Sequence, residues 1–587
     1  MFRGFRWQLL GLFLAAAVFT FALVYRVSQI SQFHPPATAA PAPTIEVVRP
    51  NATSTPAASL VDGPTAEDQI PASDRAMYRE GLVGTVQRLN PVFAQLNPVD
   101  RDISSLIFRG LFATDDYGSP VLDLAESLTI SGDNLEYVLA LRQDISWQDG
   151  IAFNADDVIY TMSLLSDPGY AAYSPSAAFW RTVETQKLGD HLVRFRLAQP
   201  LASFPRYLTI GILPEHALRG TTVSALATHP FNLSPIGTGA YQLGELRAAA
   251  SGEIGAVLLR LSPVYEGRGN ARNRHQLQEL LFKLYGNADD AMQAYRRGEV
   301  DVLANIGSRA DLLGLPRARL YTSVDSTMRI LIFNWEEQAF SDRRMRRALT
   351  LGLNQPALVE TRLAGQALYA DSPLIPGMPV YQAQQFWSAH DPALAVSLLD
   401  AVFKADLDGE EIDDAAGEGA KTVDFILLVE ASGSLPGLAF DIAAQWRSIG
   451  LAVEVESVMP DQLMKRLRDR DFTAAIVAQR IGAEPDVYRF WHPAQASKGQ
   501  NYGSAAEPEI AELLDSARRA SNGIARHQLY QQFQALFTEK AIAIPLYYPL
   551  YTMIVRDSIE GVRLGFIGEA ADRFRGISAW RLAGTSV

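Results

Sequence analysis

Three observations predict an α/β chain of at least two lobes behind an N-terminal membrane segment. At 587 residues the chain exceeds the roughly 250–300 residues at which a single hydrophobic core stops growing. Its texture changes near Met328, from alternating strands (a mixed α+β lobe) to a βα alternation. Ahead of both stands an uncharged apolar run, Trp7 to Tyr25.

That run follows Arg3 and Arg6. As a helix of about 19 residues it spans about 28 Å, close to the roughly 30 Å hydrocarbon core of a bilayer. A cleaved signal has a shorter apolar stretch, and the small-residue pattern Ala37-Thr38-Ala39 lies well beyond this one. The length favours an uncleaved anchor over a cleaved signal, and the two arginines favour a cytoplasmic N-terminus. Residues 31–76 are rich in Pro, Ala, Ser and Thr and read as a tether.

In the first lobe, Leu135 to Arg142 reads as a strand with Leu135, Tyr137, Leu139 and Leu141 on one face. Asp149-Gly150 is a turn pair. Asn154 caps a helix whose first turn carries Asp157 and whose apolar positions are Val158, Met162 and Leu165. Val193 to Leu197 alternates as another strand.

Beyond Met328, Ser341 or Asp342 caps a helix with Met345, Ala348, Leu349, Gly352 and Leu353 on one face. Arg343, Arg344, Arg346 and Arg347 are expected on its solvated flank. Asp406 to Glu418 reads as a solvated acidic insertion.

Val423 to Ala478 is the most regular stretch. It predicts a strand at Val423–Val429, a helix at Leu438–Ile449 closed by Gly450, and a strand through Leu451, Val453 and Val455. A short helix near Leu463–Leu467 and a strand at Thr473–Ala478 follow. This βαβαβ order implies a parallel sheet, whose ligands bind beyond the carboxyl ends of the strands. The last strand delivers Gln479, Arg480 and the loop through Glu484-Pro485-Asp486. Tyr488, Trp491, Asn501, Tyr502 and Trp335 complete the candidate ligand-binding set, because aromatics bury large areas with few rotors.

A net charge of −13 argues against nucleic acid as a partner. The absence of cysteine removes disulfides, thiol catalysis and thiolate metal sites. No paired-histidine metalloprotease helix, phosphate-binding loop or nucleophile elbow occurs. Gly237-Thr238-Gly239 lacks a third glycine and precedes a strand rather than the helix a dinucleotide site needs. The eight histidines are scattered, with His492 the one worth testing as a ligand. The reading is therefore not an enzyme, with no cofactor and no metal site.

Taken in order, several short motifs resemble those of the family 5 extracellular solute-binding proteins, the peptide- and nickel-binding receptors of ABC importers. They are Leu89-Asn90-Pro91, Ala125-Glu126-Ser127, Trp147-Gln148-Asp149-Gly150, Phe153 to Thr161, Pro235 to Tyr241, Gly298-Glu299-Val300-Asp301, Phe333-Asn334, Arg346 to Leu349, Ala543 to Tyr547 and Glu560-Gly561-Val562. The resemblance covers about Arg79 to Val562.

It implies a two-lobe periplasmic-binding-protein-like fold: lobe I at 77–326, lobe II at 327–544 and a return to lobe I at 545–587. Two crossings, near Arg329 to Phe333 and Ile544 to Tyr548, would form the hinge. The implied protein is a monomeric, membrane-anchored receptor outside the cytoplasm, passing short peptides to ABC transporter permease subunits. An oligosaccharide or a metal chelate would fit the same architecture. A surface-anchored sensor or structural protein is the alternative from another class, and a hydrolase of oligomers a third.

Peptide receptors of this family carry an acid four positions before the proline of the loop, to hold the peptide's α-ammonium. Here Ile481 stands in that position, and Ala478 where those receptors have tryptophan. The resemblance then implies that Glu484 or Asp486 supplies the charge, or that the ligand is not held by an amino end. Full-length protein is expected to sediment with membranes, and deletion of Met1–Gln32 to release it. A processed soluble form in the native host would refute the anchor.

Overall fold

The structure, a computed structural model, describes residues 77–583 except 175, 267–274, 307–308, 385–389, 408–422, 483, 498 and 521. The expected anchor Trp7–Tyr25, the tether and most of the acidic insertion lie outside the described residues. Among the described residues no helix is long and apolar enough to cross a membrane.

The elements that organise the fold are, in chain order, β1 (Tyr78–Val83), α1 (Pro98–Ile107), β2 (Glu136–Leu141), α2 (Ala155–Ser166), β3 (Thr327–Phe333), α3 (Arg343–Leu351), β4 (Asp424–Glu430), α4 (Leu435–Ser448), β5 (Ala452–Val458), α5 (Pro460–Asp469), β6 (Ala474–Arg480), α6 (Pro508–Arg519), α7 (Gly523–Glu539) and β7 (Ile544–Arg556). They pack around two large hydrophobic cores. One is built mainly from residues of the first part of the chain with Tyr551 to Trp580, the other from Met328 to Tyr548 with Phe566.

In the first core β2 forms as expected, with Tyr137, Leu139 and Leu141 buried. It lies inside a four-stranded antiparallel sheet between Ala125–Ile130 and Leu192–Arg196. The Asn154 side chain accepts the amide N–H of Asp156 at 2.7 Å, and Asp157 reaches back to the Asn154 N–H at 3.0 Å. Asp157 also accepts the indole N–H of the fully buried Trp147 at 3.1 Å and the Glu215 N–H at 2.8 Å. One capping carboxylate thus fixes the turn, the helix start and a distant loop. Gly237 passes so close to α1 that a Cβ would stand 1.9 Å from the Ile107 carbonyl oxygen, so no larger residue fits.

In the second core β4, α4, β5, α5 and β6 reproduce the expected order. β4 pairs parallel with both β5 and β6, and Gly450 closes α4 at φ +98°. β6 runs on to Arg480, so Gln479 and Arg480 belong to the strand rather than to the loop behind it.

The expected solvated arginine flank of α3 fails at Arg346, which is 1% exposed. Its guanidinium donates to the carbonyls of Ala541 (2.9 Å), Phe340 and Ser341 (2.8 Å each) and Lys540 (3.0 Å), and lies 3.6 Å over the Trp335 ring. The carbonyls of Lys540 and Ala541 follow the negative end of the α7 dipole, which suits a cation. Burial pushes the Arg346 pKa down to about 10.

A single twelve-stranded sheet runs through both cores, ten of its strands in the order β5, β4, β6, β3, β7, Val302–Ala304, β1, Glu279–Tyr285, Ile254–Leu261, Tyr241–Ala248 and two more paired only with β7. β7 joins its halves. From Ile544 to Pro549 it pairs with β3 and with Ala367–Tyr369, and from Leu550 to Arg556 with Ala318–Val324 and Val302–Ala304. The β3–β7 register slips between Arg329 and Ile330, opposite Tyr547 and Pro545. Pro545 has no N–H to offer the ladder, which suits a bulge there.

The C-terminal stretch Ala570–Ala579 is tied back by Arg573, 1% exposed, which pairs with Glu80 of β1 at 2.9 Å and Asp102 of α1 at 2.7 Å. Glu80 also accepts the Tyr78 hydroxyl at 2.7 Å. Burial raises the Glu80 pKa and Arg573 opposes the rise. Removing one partner of a buried pair leaves an uncompensated charge, at a cost of about 3–5 kcal/mol. Glu80→Ala is therefore expected to lower the melting temperature by several degrees, read by calorimetry, and an unchanged value would show that the pair does not hold the C-terminus.

Candidate functional site

At the end of β6, Gln479 pairs with Met328 and Arg480 with Thr327 of β3. Gln479 points into the protein, 4% exposed, and its Oε1 has no hydrogen-bond partner. Arg480 faces the other way, with its side chain half exposed. It donates to the Gly568 carbonyl at 3.0 Å and pairs with Glu569 at 2.8 Å. The same Glu569 oxygen pairs with Arg101 of α1 at 3.2 Å. One carboxylate is thus shared by an arginine from each part of the fold.

Ile481 is 6% exposed and belongs to the second core, and its N–H donates to the Ser326 carbonyl at 2.9 Å. The position is a packing contact. Neither of the two acids expected to replace a missing charge stands free. Glu484 is paired with Arg526 of α7. Asp486 takes both Nε (3.0 Å) and Nη2 (2.6 Å) of Arg518 at the end of α6. This bidentate geometry fixes the guanidinium plane, which lies 3.6 Å over the Tyr488 ring, and Tyr488 in turn stacks on His492 at 4.1 Å. His492 accepts the Ala494 N–H on Nδ1 at 3.1 Å, and burial holds its pKa below the usual histidine value. The stacked imidazole also stands 3.8 Å from Asp515 through Nε2.

The remaining candidates divide. Trp491 is 4% exposed and meets Phe537 edge-on at 4.7 Å, so it is a core residue, although its Nε1 finds no acceptor. Asn501 is also buried, and its amide closes its own loop through the Ala505 carbonyl (2.8 Å) and N–H (3.1 Å). Trp335 follows β3, which is antiparallel to β6, and so sits beside the start of β6 rather than its end. About 20 Å of strand separates it from Arg480, and its face is covered by Arg346. Tyr502 is half-buried beside Gly503, whose carbonyl accepts the Trp335 N–H at 2.9 Å. Of the candidates, Arg480, Glu484, Asp486 and Tyr488 stand together at the loop, whereas Asn501 and Trp491 are buried and Trp335 lies beside the other end of β6.

Sequence reasoning missed what faces this loop from the first core. The Ala202 N–H donates to the Arg518 carbonyl at 2.9 Å. Tyr207, in the short helix Phe204–Tyr207, is within electrostatic range of Asp486, Arg518 and Arg489; burial raises its pKa. Arg206 is influenced by Asp572, Glu569 and Arg575, with burial lowering its pKa. Arg489 is exposed, donates to the Arg480 carbonyl, and also has its pKa lowered by the surrounding protein. No motif marks these residues, since they come from segments far apart in the chain.

A cavity lined by Phe425, Arg447, Val453 and Glu454 lies instead at the β4–β5 edge. Among the described residues no group of three or more His, Asp or Glu side chains could hold a metal ion. Trp491→Ala should act on stability, lowering it by about 3–5 kcal/mol as for a buried large-to-small change. A fully stable variant in chemical denaturation would place Trp491 outside the core.

Comparison with known proteins agrees with this architecture. Oligopeptide-binding protein AppA of Bacillus subtilis is 24% identical over 494 residues, 82% of this chain and 88% of AppA. HbpA2 of Haemophilus parasuis superposes with a TM-score of 0.72 at 18% identity, covering 86% of this chain and 99% of HbpA2. NikZ of Campylobacter jejuni, solved in complex with Ni(L-His), superposes with a TM-score of 0.65 at 22% identity, covering 87% of this chain and 100% of NikZ. These likenesses establish the two-lobe periplasmic-binding-protein fold. The profile of the bacterial extracellular solute-binding proteins, family 5, matches residues 119–502, well over half of the sequence, and the chain belongs to that family.

Proposed function

We propose that this protein captures short peptides outside the cytoplasm, between its two lobes, and delivers them to the permease of an ABC importer. The observation that carries the reading is the convergence on one junction of charged and aromatic groups from both cores: Arg480, Asp486, Tyr488 and Arg489 from one, Arg101, Arg206 and Tyr207 from the other. Membership of a solute-binding family and likeness to a protein named as oligopeptide-binding support peptide over the other solutes. Catalysis plays no part in it.

The hinge falls where β3 and β7 cross between the cores, with lobe I at 77–326 and lobe II at 327–544; of the expected return to lobe I at 545–587, Leu546 to Tyr548 and Phe566 pack in the second core and Tyr551 to Trp580 mainly in the first. Two strands with a bulge between them can twist while the ladders on either side stay intact, which is how hinged binding domains close. Closure would exclude water and strengthen each polar contact with the solute. The apolar run Trp7–Tyr25 would hold the receptor at the membrane, with its folded part outside.

The test is to purify the full-length protein without denaturation, release co-purified solute and identify it by mass spectrometry. A ladder of short peptides is expected, and a sugar or a metal chelate would overturn the peptide reading. With a bound peptide in hand, Arg480→Ala should weaken binding about tenfold, equivalent to about 1.4 kcal/mol. Unchanged affinity by calorimetry would remove the end of β6 from the site.

A further inference from the structure

We propose that the junction selects a solute carrying two or more carboxylates, which, resting on the peptide reading above, means a short peptide with acidic side chains. The argument is a local excess of positive charge. Seven arginines meet there: Arg101, Arg206, Arg480, Arg489, Arg518, Arg526 and Arg575. Five carboxylates face them: Glu484, Asp486, Asp515, Glu569 and Asp572. The excess is two positive charges. The buried set of Arg573, Glu80 and Asp102 behind them carries one net negative charge and still leaves one. The chain as a whole has a net charge of −13, so this junction runs against the rest of the protein.

The acids are already committed. Glu484 and Asp486 each hold an arginine, and Glu569 is divided between Arg101 and Arg480. Arg206 and Arg489 have no carboxylate within ion-pair distance among the described residues, one in the short helix Phe204–Tyr207 and the other in the short helix Tyr488–Trp491. Arg206 Nη1, Arg101 Nε and Arg526 Nε are buried without an acceptor. The protein around Arg206 and Arg489 already disfavours their charged forms. An arriving carboxylate would relieve that penalty and fill the unused donor positions with charge-assisted bonds. A cationic side chain would meet repulsion from both lobes. Ile481 follows the same logic, since an apolar residue stands where an acid would cancel part of the field.

Guanidinium forks match carboxylates in pairs of parallel hydrogen bonds. Arg206 and Arg489 come from different lobes, so a ligand with two carboxylates can engage one on each side. Acidic residues in the solute would then serve as the adhesive between lobes, and closure would depend on their presence.

The test is calorimetry on the full-length protein with three tetrapeptides, Ala-Glu-Glu-Ala, Ala-Gln-Gln-Ala and Ala-Lys-Lys-Ala, and with glutarate as a non-peptide dicarboxylate. The acidic peptide should bind at least about tenfold tighter than its glutamine isostere, and this preference should shrink with added salt. Arg206→Gln and Arg489→Gln should each reduce the acid-to-amide ratio to below about threefold. Equal or tighter binding of the glutamine or lysine peptide would overturn the charge selection and leave the peptide reading intact. Binding of glutarate with no tetrapeptide bound would support the charge selection and overturn the peptide reading. Absence of binding by all four would overturn the proposal.

Discussion

β7 is the constraint on which the rest of the molecule depends. Its first half pairs with β3 and its second half with strands of the other core, so neither core can be completed without it. Sharing a strand makes the two lobes one folding problem, because the ladder bonds on both sides require one register along thirteen residues. A register slip would turn every side chain to the wrong face. For β7 that rule is relaxed at the bulge opposite Arg329 and Ile330, which coincides with the proline that cannot donate.

Buried arginines do the corresponding work for the loops and termini. Arg346 is held by four carbonyls at the ends of short segments, and Arg573 by two carboxylates from β1 and α1. A buried guanidinium needs several acceptors in a fixed plane, so each of these residues fixes the relative positions of the segments that supply them. The same chemistry at the lobe junction is incompletely satisfied. Arg573 itself keeps one buried Nη2 without a partner, so an unfilled donor position is common to the frame and the junction.

The loop after β6 illustrates how a site on a familiar scaffold changes. Topology alone directs attention to the carboxyl end of β6, and Arg480 and Asp486 are there. Yet the acids nearest that point are neutralised by α6 and α7, and Ile481 has become part of the core. What remains exposed at the end of β6 is the guanidinium of Arg480.

Local periodicity and capping were legible in the sequence because they depend on neighbours only a few residues away. The alternation of β2, the Asn154–Asp157 cap and the whole βαβαβ run from β4 to β6 follow from such short-range rules, and ordered motifs extended them to the family. The charges that meet at the junction were not legible. Arg206, Arg489, Arg518 and Glu569 lie hundreds of residues apart in part, and only the packing of two lobes against a shared strand brings their charges within reach of one another. The same packing removed Trp491 and Asn501 from the candidate site, because burial is a property of the assembled cores and composition cannot reveal which side of a helix or loop will be covered. Sequence determined the elements and their order; tertiary structure decided the sign of the field between the lobes, since electrostatic interaction depends on distance in space rather than along the chain.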